Sequence, residues 1–311
     1  MLFENKTITP NQVSVPIPVI HVSFSKENNC MKTFALARVL TLSTALLFAG
    51  VAQAQTDVTP NLSGGVGSFY TDRYNPASFA VNSGTVQGRS NVLQIGINSS
   101  TDALNRPAGL QGQFYNTQGR KLDVNQGGSW TFQSDLFVES GWSSPSSGLV
   151  RTDMWATQCN GTSCIPNSEA NVTNYPIIGF TNQGAAGARF RGWNGALGWQ
   201  NFNSTVNFGQ WNTLTMSFDD LTNTLSYLVN GVNMYSYTPA GSSTVVGNIM
   251  YQAYNWNDAT LNGQMGNADY IANWSNTPGT VIPEPSTYAL MATGLVGLFG
   301  IARRRNSKNP A

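Results

Sequence analysis

Charge is scarce in this 311-residue chain: only 10% of the side chains are Asp, Glu, Lys or Arg, and the formal net charge is +1. That excludes a basic nucleic-acid surface and a charged disordered tail. Histidine is scarcer still. His21 is the one imidazole, and it lies ahead of the export signal described below. The mature chain is therefore expected to lack a catalytic triad, an imidazole general base and a histidine zinc ligand. Cysteine is limited to Cys30, Cys159 and Cys164. What is abundant instead is uncharged polarity, with 31 glycines, eight tryptophans and many Asn, Ser, Thr and Gln residues. A hydrophobic fraction of 41% with that polarity suits an exported all-β domain better than a cytosolic enzyme.

Met31, Lys32 and Arg38 form a short basic segment, and an apolar run from Val39 to Val51 follows. Ala52-Gln53-Ala54 then supplies the small-x-small pattern that signal peptidase reads, so cleavage between Ala54 and Gln55 is expected. The run of about 13 residues reaches roughly 20 Å as a helix, short of the ~30 Å hydrocarbon core, and reads as the centre of a signal peptide over 31–54. Residues 1–30 carry three prolines and no helical period, and read as a misassigned start or a long leader outside the fold. Cys159 and Cys164 enclose a small loop in an exported chain, and a disulfide between them is expected. From Gln55 to Ile282 there are 12 acids and 8 bases, a mildly acidic domain.

At the other end, Pro283-Glu284-Pro285 precedes Ser286-Thr287 and an apolar stretch, Tyr288 to Ala302, with Gly294, Gly297 and Gly300. Arg303, Arg304 and Arg305 close it. This order of parts, over 281–311, resembles the PEP-CTERM sorting domain. The resemblance implies that Pro283, Glu284 and Pro285 are what an exosortase recognises, with the protein sorted to the cell envelope and held in the membrane at least transiently. The apolar stretch 288–302 spans roughly 22 Å as a helix, and the three arginines would remain cytoplasmic under the positive-inside rule.

Residues 55–280 read as strands. Trp130, Phe132, Leu136 and Val138 alternate with polar residues, as do Leu214, Met216 and Phe218. Trp130 and Trp211 read as core. Asn230-Gly231 is a type I′ turn signal between Thr224 and Tyr237, which sets Val229 opposite Val232, Tyr227 opposite Met234 and Leu225 opposite Ser236. Further strands are expected at Val92–Ile97, Gly148–Thr157, Tyr175–Thr181, Ala188–Trp193, Val245–Tyr254 and Ala268–Trp274. The whole predicts one all-β sandwich. The stretch Gly209 to Gly231 resembles the paired strands of concanavalin-A-like or laminin-G-like jelly rolls, which implies that architecture.

Glycosidases of that architecture carry Glu-x-Asp-x-x-Glu on a strand, and this chain does not. Asp135 and Glu139 are four apart on a predicted strand, about 13 Å, too far for either glycosidase geometry. No catalytic residue and no cofactor are assigned. Asp219, Asp220 and Asp258 either cap turns or offer oxygens to Ca2+. Trp193, Trp199 and Trp256 stand beside amides (Asn194, Gln200, Asn201, Asn255, Asn257) in turn-rich stretches and are the candidate sugar-stacking residues; burial in the core is the competing reading. The expectation is a non-enzymatic extracellular matrix protein that contacts exopolysaccharide. A glycoside hydrolase or lyase, and a purely structural or adhesive surface protein, stay open as alternatives.

Overall fold

In the computed structural model the described residues are 55–98, 102, 107–109, 116–160, 171–241, 244–256 and 269–276. They form the strands β1 (Thr56–Asp57), β2 (Tyr70–Thr71), β3 (Ser78–Asn82), β4 (Val92–Ile97), β5 (Thr117–Gly127), β6 (Trp130–Val138), β7 (Arg151–Cys159) and β8 (Val172–Asn174). The chain continues through β9 (Ile177–Thr181), β10 (Arg189–Asn194), β11 (Gly198–Asn201), β12 (Gln210–Asp219), β13 (Thr224–Val229), β14 (Val232–Tyr237), β15 (Val245–Tyr254) and β16 (Tyr270–Ser275).

These strands make two sheets. The first runs β14-β13-β12-β6-β16-β4-β3, with β1 added in parallel to β6; the second runs β11-β10-β9-β7-β15-β5-β2, with β8 added to β7. All the other pairings are antiparallel. The reason two sheets form is the period-2 alternation, which gives each strand one apolar side to bury. Trp130, Phe132, Leu214, Met216, Phe218 and Trp274 of the first sheet meet Met154, Ile178, Phe180, Phe190, Ile249 and Tyr251 of the second in a single core. Phe132 and Tyr251 touch edge to face at 5.5 Å across it, and Trp274 Nε1 donates to Thr152 Oγ1 at 3.0 Å. Removing one such aromatic costs about 3–5 kcal/mol.

Two expectations are corrected. The β13–β14 hairpin keeps its turn, with Asn230 and Gly231 at φ 51° and 78° and Val229 opposite Val232, but its register shifts at Tyr227/Leu228. Tyr235, not Met234, faces Tyr227, and Tyr237, not Ser236, faces Leu225. The bulge turns both tyrosines toward the second sheet, where Asn194 Nδ2 donates to the Tyr235 hydroxyl at 2.9 Å and Asn174 Nδ2 to that of Tyr237 at 3.1 Å. Trp130 is core, but Trp211 is not. With Leu214, Met216 and Phe218 pointing inward, an odd-numbered partner must point out. Trp211 lies on the outer face against Phe137 (5.4 Å), under the Arg89 guanidinium (4.4 Å), and its Nε1 donates to the Gln87 carbonyl at 2.9 Å.

Candidate functional site: the outer face of the second sheet

Because Met154, Ala156, Ile178, Phe180, Phe190, Tyr251 and Ala253 point into the core, their neighbours along each strand point the other way. That places Arg151, Asp153 and Trp155 of β7, Arg189, Arg191 and Trp193 of β10, Trp199 and Asn201 of β11, and Gln252 and Tyr254 of β15 on the outer face. An outer face of a sandwich is ordinarily solvated. This one is close-packed and polar: Asp153 and Trp155 are 1% exposed, Arg191 6% and Gln252 0%.

The β10–β11 hairpin pairs Trp193 with Trp199 and Arg191 with Asn201. The two indoles are half-buried and cross at 68° with ring centroids 5.3 Å apart. The Arg191 guanidinium lies 3.8 Å over the Trp199 ring. Arg151 sits 4.9 Å from the same ring and 5.0 Å from that of Tyr254, while its Nε donates to Asp153 Oδ2 at 2.6 Å. Arg189 is spent on neutral groups, donating to Asn201 Oδ1 and to the Gln183 carbonyl, each at 2.7 Å. Further along, Asp72 holds Arg73 at 2.9 Å and Lys121 at 3.3 Å and accepts from Gln252 Nε2 at 2.8 Å.

Electrostatically the β10 end carries three guanidiniums around one carboxylate. Burial, and then repulsion from Arg151, push the Arg191 guanidinium down to about 9; burial also lowers Arg189. Gly179 supplies the room for Asp153, since a Cβ there would lie 2.2 Å from Asp153 Oδ1. That oxygen, Gln252 Oε1 and Arg191 Nε are buried without a hydrogen-bond partner.

Of the tryptophans singled out in the sequence, Trp193 and Trp199 come together here. Trp256 is 5% exposed and packs on Tyr254 at 4.4 Å, so it joins the pair only through Tyr254 and Arg151. Asp135 is on the outer face of the other sheet, ion-paired with Arg89, and burial pushes the nearby Glu139 carboxyl up. Asp219 caps a turn, accepting from the Leu221 and Thr222 amides at 2.9 and 3.3 Å. Gln55 is the first described residue; its Nε2 donates to Ser217 Oγ at 2.9 Å and its Oε1 accepts from Thr131 Oγ1 at 2.6 Å. Cys159 is buried beside Val245. Ala52, Ala54, Cys164, Asp258 and the tail from Val281 onward lie outside the described residues. Among the described residues no three His, Cys, Asp or Glu side chains gather where a metal could sit, and no helix is long and apolar enough to cross a membrane.

The sequence reading missed Arg151, Arg189, Arg191, Gln252 and Tyr254. A signal for two of them was present: Arg189-Phe190-Arg191-Gly192-Trp193 alternates so that both arginines and the tryptophan share a face.

Residues 281–305 match the family of the PEP-CTERM protein-sorting motif. No curated protein matches the chain. Among solved structures the chain is similar to an endo-1,3-β-glucanase from Streptomyces sioyaensis (10% identity, 71% of this chain and 90% of that one, TM-score 0.40). It is also similar to an alginate lyase solved with alginate tetrasaccharide (11%, 67% and 95%, 0.41) and to a sialidase (10%, 67%, 0.37), of which it spans 18% of the length. The chain is an all-β sandwich that ends in a PEP-CTERM sorting motif, the mark of an exported, envelope-sorted surface protein.

Proposed function

We propose that this surface protein is a non-enzymatic component of the extracellular matrix that holds polysaccharide on the outer face of its second sheet. The observation that carries the reading is the Trp193–Trp199 pair, half-buried on two neighbouring strands, with the Asn201 amide on the same face of β11. The C–H faces of a pyranose match the negative π-face of an indole, and amides bond its hydroxyls. Pro283, Glu284 and Pro285 would be read by an exosortase, after signal peptidase has cut before Gln55.

A polysaccharide-active enzyme is the second reading, and what favours it is the buried Asp153 carboxylate beside Arg151 and Arg191. Against it, Asp153 Oδ2 is tied to Arg151, and Glu139, at the end of β6, belongs to the other sheet. Incubating the processed protein with a panel of polysaccharides, and assaying both co-sedimentation and new chain ends, separates the two. Binding without new ends is expected; new ends abolished by Asp153→Asn would make it an enzyme.

A further inference from the structure

We propose that Arg191 is an anion-recognition residue, and that the polysaccharide held on this face carries carboxylate or sulfate groups. The inference rests on the binding reading above and adds the ligand's charge to it.

Arg73, Arg89 and Arg151 each hold a carboxylate. Arg191 holds none among the described residues, although it is 94% buried by its exposure of 6%. Its Nε has no acceptor. A guanidinium taken out of water without a counter-charge is costly, and proteins seldom leave one so unless something else supplies the charge. The titratable groups around it do not: its own strand contributes Arg189, β7 contributes Arg151 and Asp153, and β15 contributes Tyr254. Asp153 is the one carboxylate of the group; Arg151 Nε takes its Oδ2 at 2.6 Å, and its Oδ1 makes no hydrogen bond to Arg191.

The posture of Arg191 also suits a ligand. Its Cζ is set 3.8 Å from the centroid of the Trp199 ring, a contact that holds the side chain on the face that carries the two tryptophans. A fixed planar fork matches the two oxygens of a carboxylate, or two of a sulfate ester, in a bidentate pair. The sugar carrying the anion would meet Trp193 and Trp199 on the same two strands. An incoming anion also relieves the repulsion among Arg151, Arg189 and Arg191.

The test is affinity electrophoresis of the processed full-length protein through gels holding polygalacturonate, a sulfated galactan or neutral dextran, for the parent, Arg191→Gln, Arg191→Lys and Trp199→Ala. The parent should be retarded by an acidic polymer and not by dextran. Arg191→Gln should bind that polymer at least about tenfold more weakly, and Arg191→Lys should fall between, because an ammonium keeps the charge but not the fork. Retardation by polygalacturonate alone marks a carboxylate site, and by the galactan alone a sulfate site. Melting temperature separates a structural role: without polymer Arg191→Gln should melt no lower than the parent, and the acidic polymer should raise the parent's melting temperature but not the variant's. Equal binding by Arg191→Gln and parent, or a lower melting temperature in both Arg191 variants, overturns the proposal. Binding to dextran that Trp199→Ala abolishes and Arg191→Gln leaves intact sinks the anion inference and spares the polysaccharide reading. No retardation by any polymer sinks both.

Discussion

Tyr227 belongs to the first sheet, yet its hydroxyl accepts from the Ile177 amide at 3.1 Å and donates to the Trp193 carbonyl at 2.6 Å in the second. Gly192 admits it, since a Cβ there would lie 2.6 Å from the Tyr227 ring. This one side chain therefore fixes the backbone that carries Trp193. Tyr227→Phe should cost about 1–3 kcal/mol in urea denaturation, because a buried N–H and a buried carbonyl both lose a partner. Trp256→Ala should cost more, about 3–5 kcal/mol, as expected for a core aromatic, while Trp193→Ala, half-buried, should cost clearly less and weaken polysaccharide binding instead. The same denaturation curves, with binding measured beside them, check the pair. A Trp193→Ala loss as large as that of Trp256→Ala would make Trp193 a core residue.

At the scale of elements, legibility followed the alternation signal. The bounds of β4 and β15 coincide with the stretches expected from sequence, and those of β7, β9, β10 and β16 differ from theirs by at most three residues at either end. Strand β5 was not foreseen. Its Thr117, Gly119, Lys121 and Asp123 join the polar outer face while Gln118 and Arg120 share the inner side with Leu122 and Val124, so the apolar period is only two residues long. The β13–β14 register was misread for a related reason: a bulge is invisible in a two-residue turn, and only the reach of Tyr235 and Tyr237 to Asn194 and Asn174 selects it. The tryptophan pair was legible because β10 and β11 are joined locally. Arg151 and Tyr254 were not, because their arrival beside Trp199 depends on the strand order β11-β10-β9-β7-β15. Beyond β7, whose last residue is Cys159, the loop containing Cys164 should be closed by a disulfide. Intact mass with and without reductant checks it, and two alkylatable thiols on native material would contradict it.

For the whole molecule, the proposal divides the work between the sandwich, one face of which would hold polysaccharide, and the sorting motif at residues 281–305, which directs where that face is displayed. Replacing Pro283, Glu284 and Pro285 with alanine should leave the protein exported and membrane-held but unprocessed, whereas deleting residues 288–311 should release it from the envelope. Fractionation and mass measurement of both variants beside the parent check this, and parent-like maturation of the alanine variant would reduce the motif to a linker. The central claim concerns the face itself, and its most direct measurement is the affinity of the processed protein for the polysaccharide its own host secretes, parent against Trp199→Ala, with melting temperatures recorded for both. The account predicts that the parent binds and that the variant, still folded, binds at least about tenfold more weakly. A parent that does not bind, or a folded variant that binds as tightly as the parent, would contradict it.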